Sequence, residues 1–160
     1  MRPLGVVLLA TLVAVGCSSG YNRAYERETQ RLQADAAAQD RQEKAAHAEA
    51  SRFAAVVYFA TGSATLTDDG QRELRWFVDK MQAYPKAEIL AQGFADSTGS
   101  EAKNNELSTQ RAEAVKTYLA SQGIAAARIA AQGFGVDSPA ATNVTAKGRR
   151  DNRRVEVTVR

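Results

Sequence analysis

A chain of 160 residues, 44% hydrophobic and 24% charged, has room for one compact domain plus extensions, and its composition is that of a folded chain. The net charge of +3 permits an anionic partner of almost any kind. A single cysteine, Cys17, excludes an intrachain disulfide, and a single histidine, His47, leaves no set of companion imidazoles for a metal.

The amino terminus reads as an export signal. Arg2 supplies the positive start, and Leu4 to Val15 form an apolar run of about a dozen residues, short of the roughly 20 a membrane span requires. The run ends in Ala14-Val15-Gly16-Cys17, and Ser18-Ser19-Gly20 follow as a flexible leader. Small residues ahead of a cysteine resemble the bacterial lipobox. That resemblance implies cleavage after residue 16, diacylglycerol on the Cys17 thiol and acylation of the new amino group. At about 0.8 kcal/mol per buried methylene, several acyl chains anchor far more firmly than one. Ser18, where an aspartate would retain the protein at the inner membrane, points by resemblance to enterobacterial lipoproteins to the outer membrane. The competing reading is an uncleaved anchor with an incidental cysteine.

From Tyr21 to about Arg52 the chain is rich in Ala, Gln, Glu, Arg and Lys and contains no Gly or Pro. These are strong helix formers, but their apolar positions form no continuous stripe. The expected object is a solvated helix of about 30 residues, near 45 Å long at 1.5 Å per residue, acting as a spacer. A weak coiled coil and partial disorder are the alternatives. His47 falls here and is expected to be solvated. The division is thus a signal peptide at 1–16, a lipid-anchored helical spacer at 17–52 and a folded domain at 53–160.

Phe53 to Ala60, an apolar run with β-branched and aromatic residues, reads as a buried strand. Thr67-Asp68-Asp69 offer a cap and first-turn acids to a helix whose Leu74, Phe77, Val78 and Met81 fall on one face. Pro85 bounds it, and Trp76 lies off the stripe. Lys86 to Ala95 form the second strand. A second helix follows, roughly Lys103 to Gln122, stopped at Gly123.

That second helix carries an oddity. Leu107, Ala114, Val115, Tyr118 and Leu119 recur at helical spacing, and Arg111 sits on the same stripe. An inward guanidinium without a partner costs several kcal/mol, so an anion is expected beside it, and Asp96 is the nearest in sequence. Spacing supports two readings. One is a plain Asp96–Arg111 salt bridge pinning the loop to the helix. The other is a clamp for a zwitterion, with Arg111 taking a ligand carboxylate through its planar fork and Asp96 taking an ammonium.

A partial repeat comes next. Ile89-Leu90-Ala91-Gln92-Gly93-Phe94 returns as Ile129-Ala130-Ala131-Gln132-Gly133-Phe134, two strands flanking one helix as in a βαβ unit, hence parallel. The second copy has Gly135-Val136 where the first has Ala95-Asp96, so the acid is not required by the strand-to-turn geometry. Thr142 to Arg150 form a polar loop with room for one helical turn. Val155, Val157 and Val159 then alternate with polar residues as a strand with one buried face. The order β-α-β-α-β-loop-β predicts an α+β fold, a β-α-β-α-β-β sandwich with two main helices on one face of a mixed four-stranded sheet, preceded by the helical spacer.

Three stretches from Val56 onward carry a family resemblance: Gly93-Phe94-Ala95-Asp96-Ser97-Thr98-Gly99, Asn104 to Val115 (NNELSTQRAEAV), and Gly148 to Glu156 (GRRDNRRVE). In that order, with Gly133-Phe134-Gly135 between them, they resemble the OmpA-like peptidoglycan-binding domain, also found in peptidoglycan-associated lipoproteins. The resemblance implies a diaminopimelate ligand in the peptidoglycan stem peptide. Its ammonium would go to Asp96 and its carboxylate to Arg111, with Asn104 and Arg153 or Arg154 lining the pocket. The alternative for the Arg pair is a solvated cluster at the start of the last strand. Phe94 stands where His or Tyr is usual, and Ala60-Thr61-Gly62 replace the acids usual after Phe59, so the rim differs from the family pattern.

The resemblance implies a tether: a lipid anchor in the outer membrane of a Gram-negative bacterium, a domain in the periplasm gripping peptidoglycan, and room for envelope protein partners. No cofactor is implied. An enzyme acting on peptidoglycan would lack His and Cys in the folded part, and a carboxylate pair built from Asp68, Asp69, Asp96 or Glu101 has no supporting motif. A scaffold role is the other alternative. A nucleic-acid binder, suggested by the arginines at 149, 150, 153, 154 and 160, is opposed by the export signal and by the lack of interleaved aromatics.

Overall fold

The structure, a computed structural model, describes residues 19–160, so the signal sequence and Cys17 lie outside the described residues. The chain divides into two compact units, Met1–Arg41 and Gln42–Arg160. In the first, the described residues belong to helix α1 (Ser19–Ala50), and nearly every side chain described from 22 to 49 is exposed, Tyr25 and Leu32 included. Such a helix rests on residue propensity and local pairs, not on a buried face. No described helix is long and apolar enough to cross a membrane.

The second unit is built on strands β1 (Ala55–Tyr58), β2 (Ile89–Gly93), β3 (Ile129–Gly133) and β4 (Arg154–Val159), with helices α2 (Asp68–Met81), α3 (Glu101–Ser121) and α4 (Ala146–Asn152). The sheet order is β1-β4-β2-β3, with β4 antiparallel to both neighbours and β2 parallel to β3. The expected α+β architecture, a mixed four-stranded sheet after a long helix, is the one found. The two copies of the repeat pair with each other in register, from Ile89 opposite Ile129 to Gly93 opposite Gly133.

Each helix starts where its sequence supplies a cap. Thr67 Oγ1 accepts from Gly70 N at 3.1 Å, Ser100 Oγ from Lys103 N at 3.4 Å, and Thr145 Oγ1 from Gly148 N at 3.0 Å. The polar loop before β4 therefore contains a two-turn helix, α4, longer than the single turn expected. Val57, Leu74, Phe77, Ile89, Val115, Leu119, Val155 and Val157 are fully or almost fully buried between the helices and one sheet face. Each such side chain contributes about 1.5–3 kcal/mol by leaving water. Trp76 stays at the edge, in an edge-to-face contact with Phe53.

The buried ridge of α3 differs from the apolar stripe. It consists of Asn104, Ser108, Arg111, Ala112, Val115 and Leu119, while Leu107 and Ala114 are only partly covered. The reason lies in the repeat. A Cβ on Gly93 would stand 2.0 Å from Ser108 O, and one on Gly133 2.4 Å from Thr109 Oγ1. Two glycines thus let the amino-terminal half of α3 press its backbone onto the strand ends, and only small or polar side chains fit beneath it. That approach sets Arg111 and Asn104 over the carboxyl end of β2.

Candidate functional site

Because β1 and β2 both run antiparallel to β4, their carboxyl ends meet the amino end of β4 at one edge of the sheet. The loop after β1, the turn after β2, the first half of α3 and the residue before β4 converge there. They enclose a cleft of about 330 Å³ whose walls include Thr61, Gly62, Asp96, Thr98, Asn104 and Arg111, with Lys103, Glu106, Leu107, Gln110 and Arg153 around them.

Arg111 forms the floor, lining the cleft while being almost wholly buried. Its partners are main-chain carbonyls. Nε donates to Ser63 O at 2.9 Å, Nη1 to Phe94 O at 2.9 Å and Nη2 to Ala60 O at 3.1 Å. The guanidinium also lies 5.3 Å from the centre of the Phe59 ring. Burial, and then the nearby Arg153 charge, push its pKa down to about 10, with Asp96 partly offsetting them, so it remains charged at neutral pH. A guanidinium has five N–H donors. Three are used here, which leaves one on each Nη.

Asp96 is buried beside it, and its ion partner is Arg153. Oδ2 accepts from Arg153 Nη1 at 2.8 Å, and Oδ1 accepts from Thr98 N at 2.9 Å. The plain Asp96–Arg111 salt bridge is therefore not what the fold builds. Burial alone would push the carboxyl up. The Arg153 hydrogen bond, the Thr98 backbone and hydroxyl and the Arg153 charge together outweigh it, holding Asp96 below its ordinary 3.8. Arg153 is itself fixed by Nε donating to Phe59 O at 3.0 Å.

The remaining sequence candidates separate. Asn104 is buried and lines the cleft. Arg153 and Arg154 are both buried, so they do not form a solvated cluster, and strand alternation sends them to opposite faces. Arg153 belongs to the cleft. Arg154 does not: its guanidinium stacks 4.1 Å over Phe94, bonds Glu156 Oε1 at 2.6 Å and reaches Ser138 O at 3.2 Å on the face away from the helices. Its Nη1 is buried without a partner.

Sequence reasoning missed the frame around these residues. Asn152, fully buried, ties Ala141 through both its amide groups and donates to Asn143 Oδ1, which also accepts from Ser97 N at 3.2 Å. This network fixes the turn that presents Asp96. Asn152 lies within the third family stretch, so a signal existed for it. None existed for Ser63, Ala60 and Phe94, which act through their carbonyls.

Chemically the cleft suits a small ligand bearing both signs and an excess of negative charge. Three cations, Lys103, Arg111 and Arg153, face two carboxylates, Asp96 and Glu106. Among the described residues no group of three or more His, Cys, Asp or Glu is placed to hold a metal.

Known proteins resemble this chain in sequence and in fold. Over 103 residues the chain is 43% identical to a probable lipoprotein, YiaD, of Escherichia coli, an alignment covering 64% of this chain and 47% of that protein. It is 41% identical over 103 residues to the peptidoglycan-binding protein ArfA of Mycobacterium tuberculosis, covering 64% of this chain and 32% of the other. The match thus spans half or less of these relatives' own length. Among solved structures, the peptidoglycan-associated lipoprotein of Burkholderia pseudomallei superposes with a TM-score of 0.63 at 29% identity, over 66% of this chain and 90% of that one. The cell wall anchor of the type VI secretion system of Pseudomonas aeruginosa gives 0.58 at 32% identity, over 66% and 79%. The OmpA family model matches residues 58–153, from the last residue of β1 to the arginine that holds Asp96, and the chain belongs to the OmpA family.

Proposed function

We propose that this protein binds peptidoglycan non-covalently by clamping the diaminopimelate of a stem peptide between Asp96 and Arg111. The observation that carries the reading is the pairing of a buried carboxylate with a guanidinium floor in one open cleft, the guanidinium keeping one N–H on each Nη. The ligand carboxylate takes those two N–H groups, a bidentate arrangement that only a planar fork supplies. The ligand ammonium takes Asp96, whose carboxylate stays ionised well below neutral pH. Asn104 and Arg153 hold the walls. No bond is made or broken, and the reading is that of a binder, not an enzyme. Relatives named as peptidoglycan-binding and peptidoglycan-associated proteins support it.

Within the same proposal, residues 1–16 are a signal peptide, Cys17 carries lipid, and residues 17–52 form a spacer that lets the domain at 53–160 reach the wall from the outer membrane. The named lipoprotein relatives support an envelope location. The full chain is expected to sediment with purified sacculi and to be displaced by excess diaminopimelate-containing peptide. A chain left in the supernatant contradicts the proposal. Fatty-acid labelling in cells should be lost in Cys17→Ser, whereas a label that persists rules out attachment there.

A further inference from the structure

A second concavity of about 690 Å³ lies on the far side of Arg153, along the free edge of β1. It adjoins the cleft directly. Arg153 belongs to the walls of both, and Ala60 in the groove is followed by Thr61 in the cleft.

Three properties define what fits. First, β1 pairs only with β4, and the bond from Phe59 N to Arg153 O directs the odd-numbered positions inward. Val56 and Tyr58 therefore turn their backbone N–H and C=O groups to the groove, as an edge strand does toward an added amide. Second, their side chains are exposed, Val56 at 38% and Tyr58 at 52%, so a small apolar surface and a flat phenol ring stand beside that amide edge. Third, the groove is electrically balanced. Its walls carry three carboxylates and three cations, several already paired: Lys147 with Asp151, Asp69 with Arg72, and Arg153 with Asp96. The cleft has an excess of cations, but the groove has none. Such a groove suits a neutral, polar, amide-bearing group.

Resting on the peptidoglycan reading above, we infer that this groove takes an N-acetylated amino sugar of the glycan to which the stem peptide is attached. The acetamido N–H and C=O meet the open edge at Val56 and Tyr58, and its methyl packs on Val56. The apolar face of the pyranose lies on Tyr58, and the ring hydroxyls reach Glu73 and Arg150. An aromatic ring is suited to this, being apolar on its face and ordered at little entropic cost. One polymer then spans two adjoining sites and gains by tethering.

The test is calorimetric titration of the full chain with three ligands: the free stem peptide, the same peptide on its N-acetylated disaccharide, and the de-N-acetylated form of the latter. The N-acetylated conjugate is expected to bind about tenfold tighter than the peptide, and the gain should vanish on de-N-acetylation. Tyr58→Ala, an exposed position, is expected to abolish the gain while leaving affinity for the free peptide unchanged. Equal binding of peptide and conjugate overturns the sugar site and leaves the clamp standing. Failure of all three ligands to bind overturns both. A Tyr58-dependent gain from a cross-linked peptide without sugar, or Tyr58-dependent dimerisation of the chain, assigns the groove to another occupant and also overturns the inference.

Discussion

Arg111→Ala is expected to lower stability by about 3–5 kcal/mol in urea unfolding and to abolish sedimentation with sacculi. The stability loss follows from what the guanidinium holds. Ser63 O, Ala60 O and Phe94 O would lose their donor, and two of these lie in the loop that walls the cleft. A deep void would open beneath that loop, because Arg111 is the largest fully buried side chain among the described residues. Since this variant loses fold and binding together, Arg111→Lys separates them. An ammonium keeps the charge and satisfies some of the carbonyls, but it presents no planar pair of N–H groups to a carboxylate. It is expected to remain folded and to bind stem peptide at least about tenfold more weakly. Unaltered binding by the lysine variant would mean that the fork does not meet the ligand.

Asp96→Asn should cost about 3 kcal/mol, because Arg153 is left charged, buried and without its carboxylate. It should also remove the ammonium half of the clamp. The pH dependence provides an independent readout. Asp96 has a folded pKa below its ordinary 3.8, so the folded state binds fewer protons than the unfolded one on acidification. Its contribution is therefore fully present above the unfolded pKa and is lost as pH falls through the folded value. Urea midpoints of the wild type are expected to fall from about pH 4 downward, and those of Asp96→Asn to fall less over the same range. Parallel curves would show that the carboxylate titrates alike in both states.

The elements were legible because periodicity and caps agree. Leu74, Phe77, Val78 and Met81 lie on the buried face of α2, Thr67 caps it, and the repeated Gln-Gly-Phe stretches pair side by side. The site was legible only in part. Arg111 stood out because a cation on an apolar ridge is anomalous, and the anomaly was real. Its counterpart was not legible, since main-chain carbonyls of Ser63, Ala60 and Phe94 leave no trace in side-chain type. Asp96 found its partner 57 residues away in Arg153, beyond any local spacing rule. The buried ridge of α3 shifted from Leu107 to Ser108 because glycines on two other strands govern how closely the helix approaches. Arg153 and Arg154 are adjacent in sequence, and the alternation at the start of β4 decides which of them lines the cleft.

The most direct test is a titration of the full chain with a stem peptide containing diaminopimelate and with its counterpart containing lysine. The two side chains share the terminal ammonium, but only the first adds the carboxylate that the proposed clamp assigns to Arg111. Saturable binding of the diaminopimelate peptide, with the lysine peptide at least about tenfold weaker, is the expected result. Equal affinity for the two would contradict the clamp.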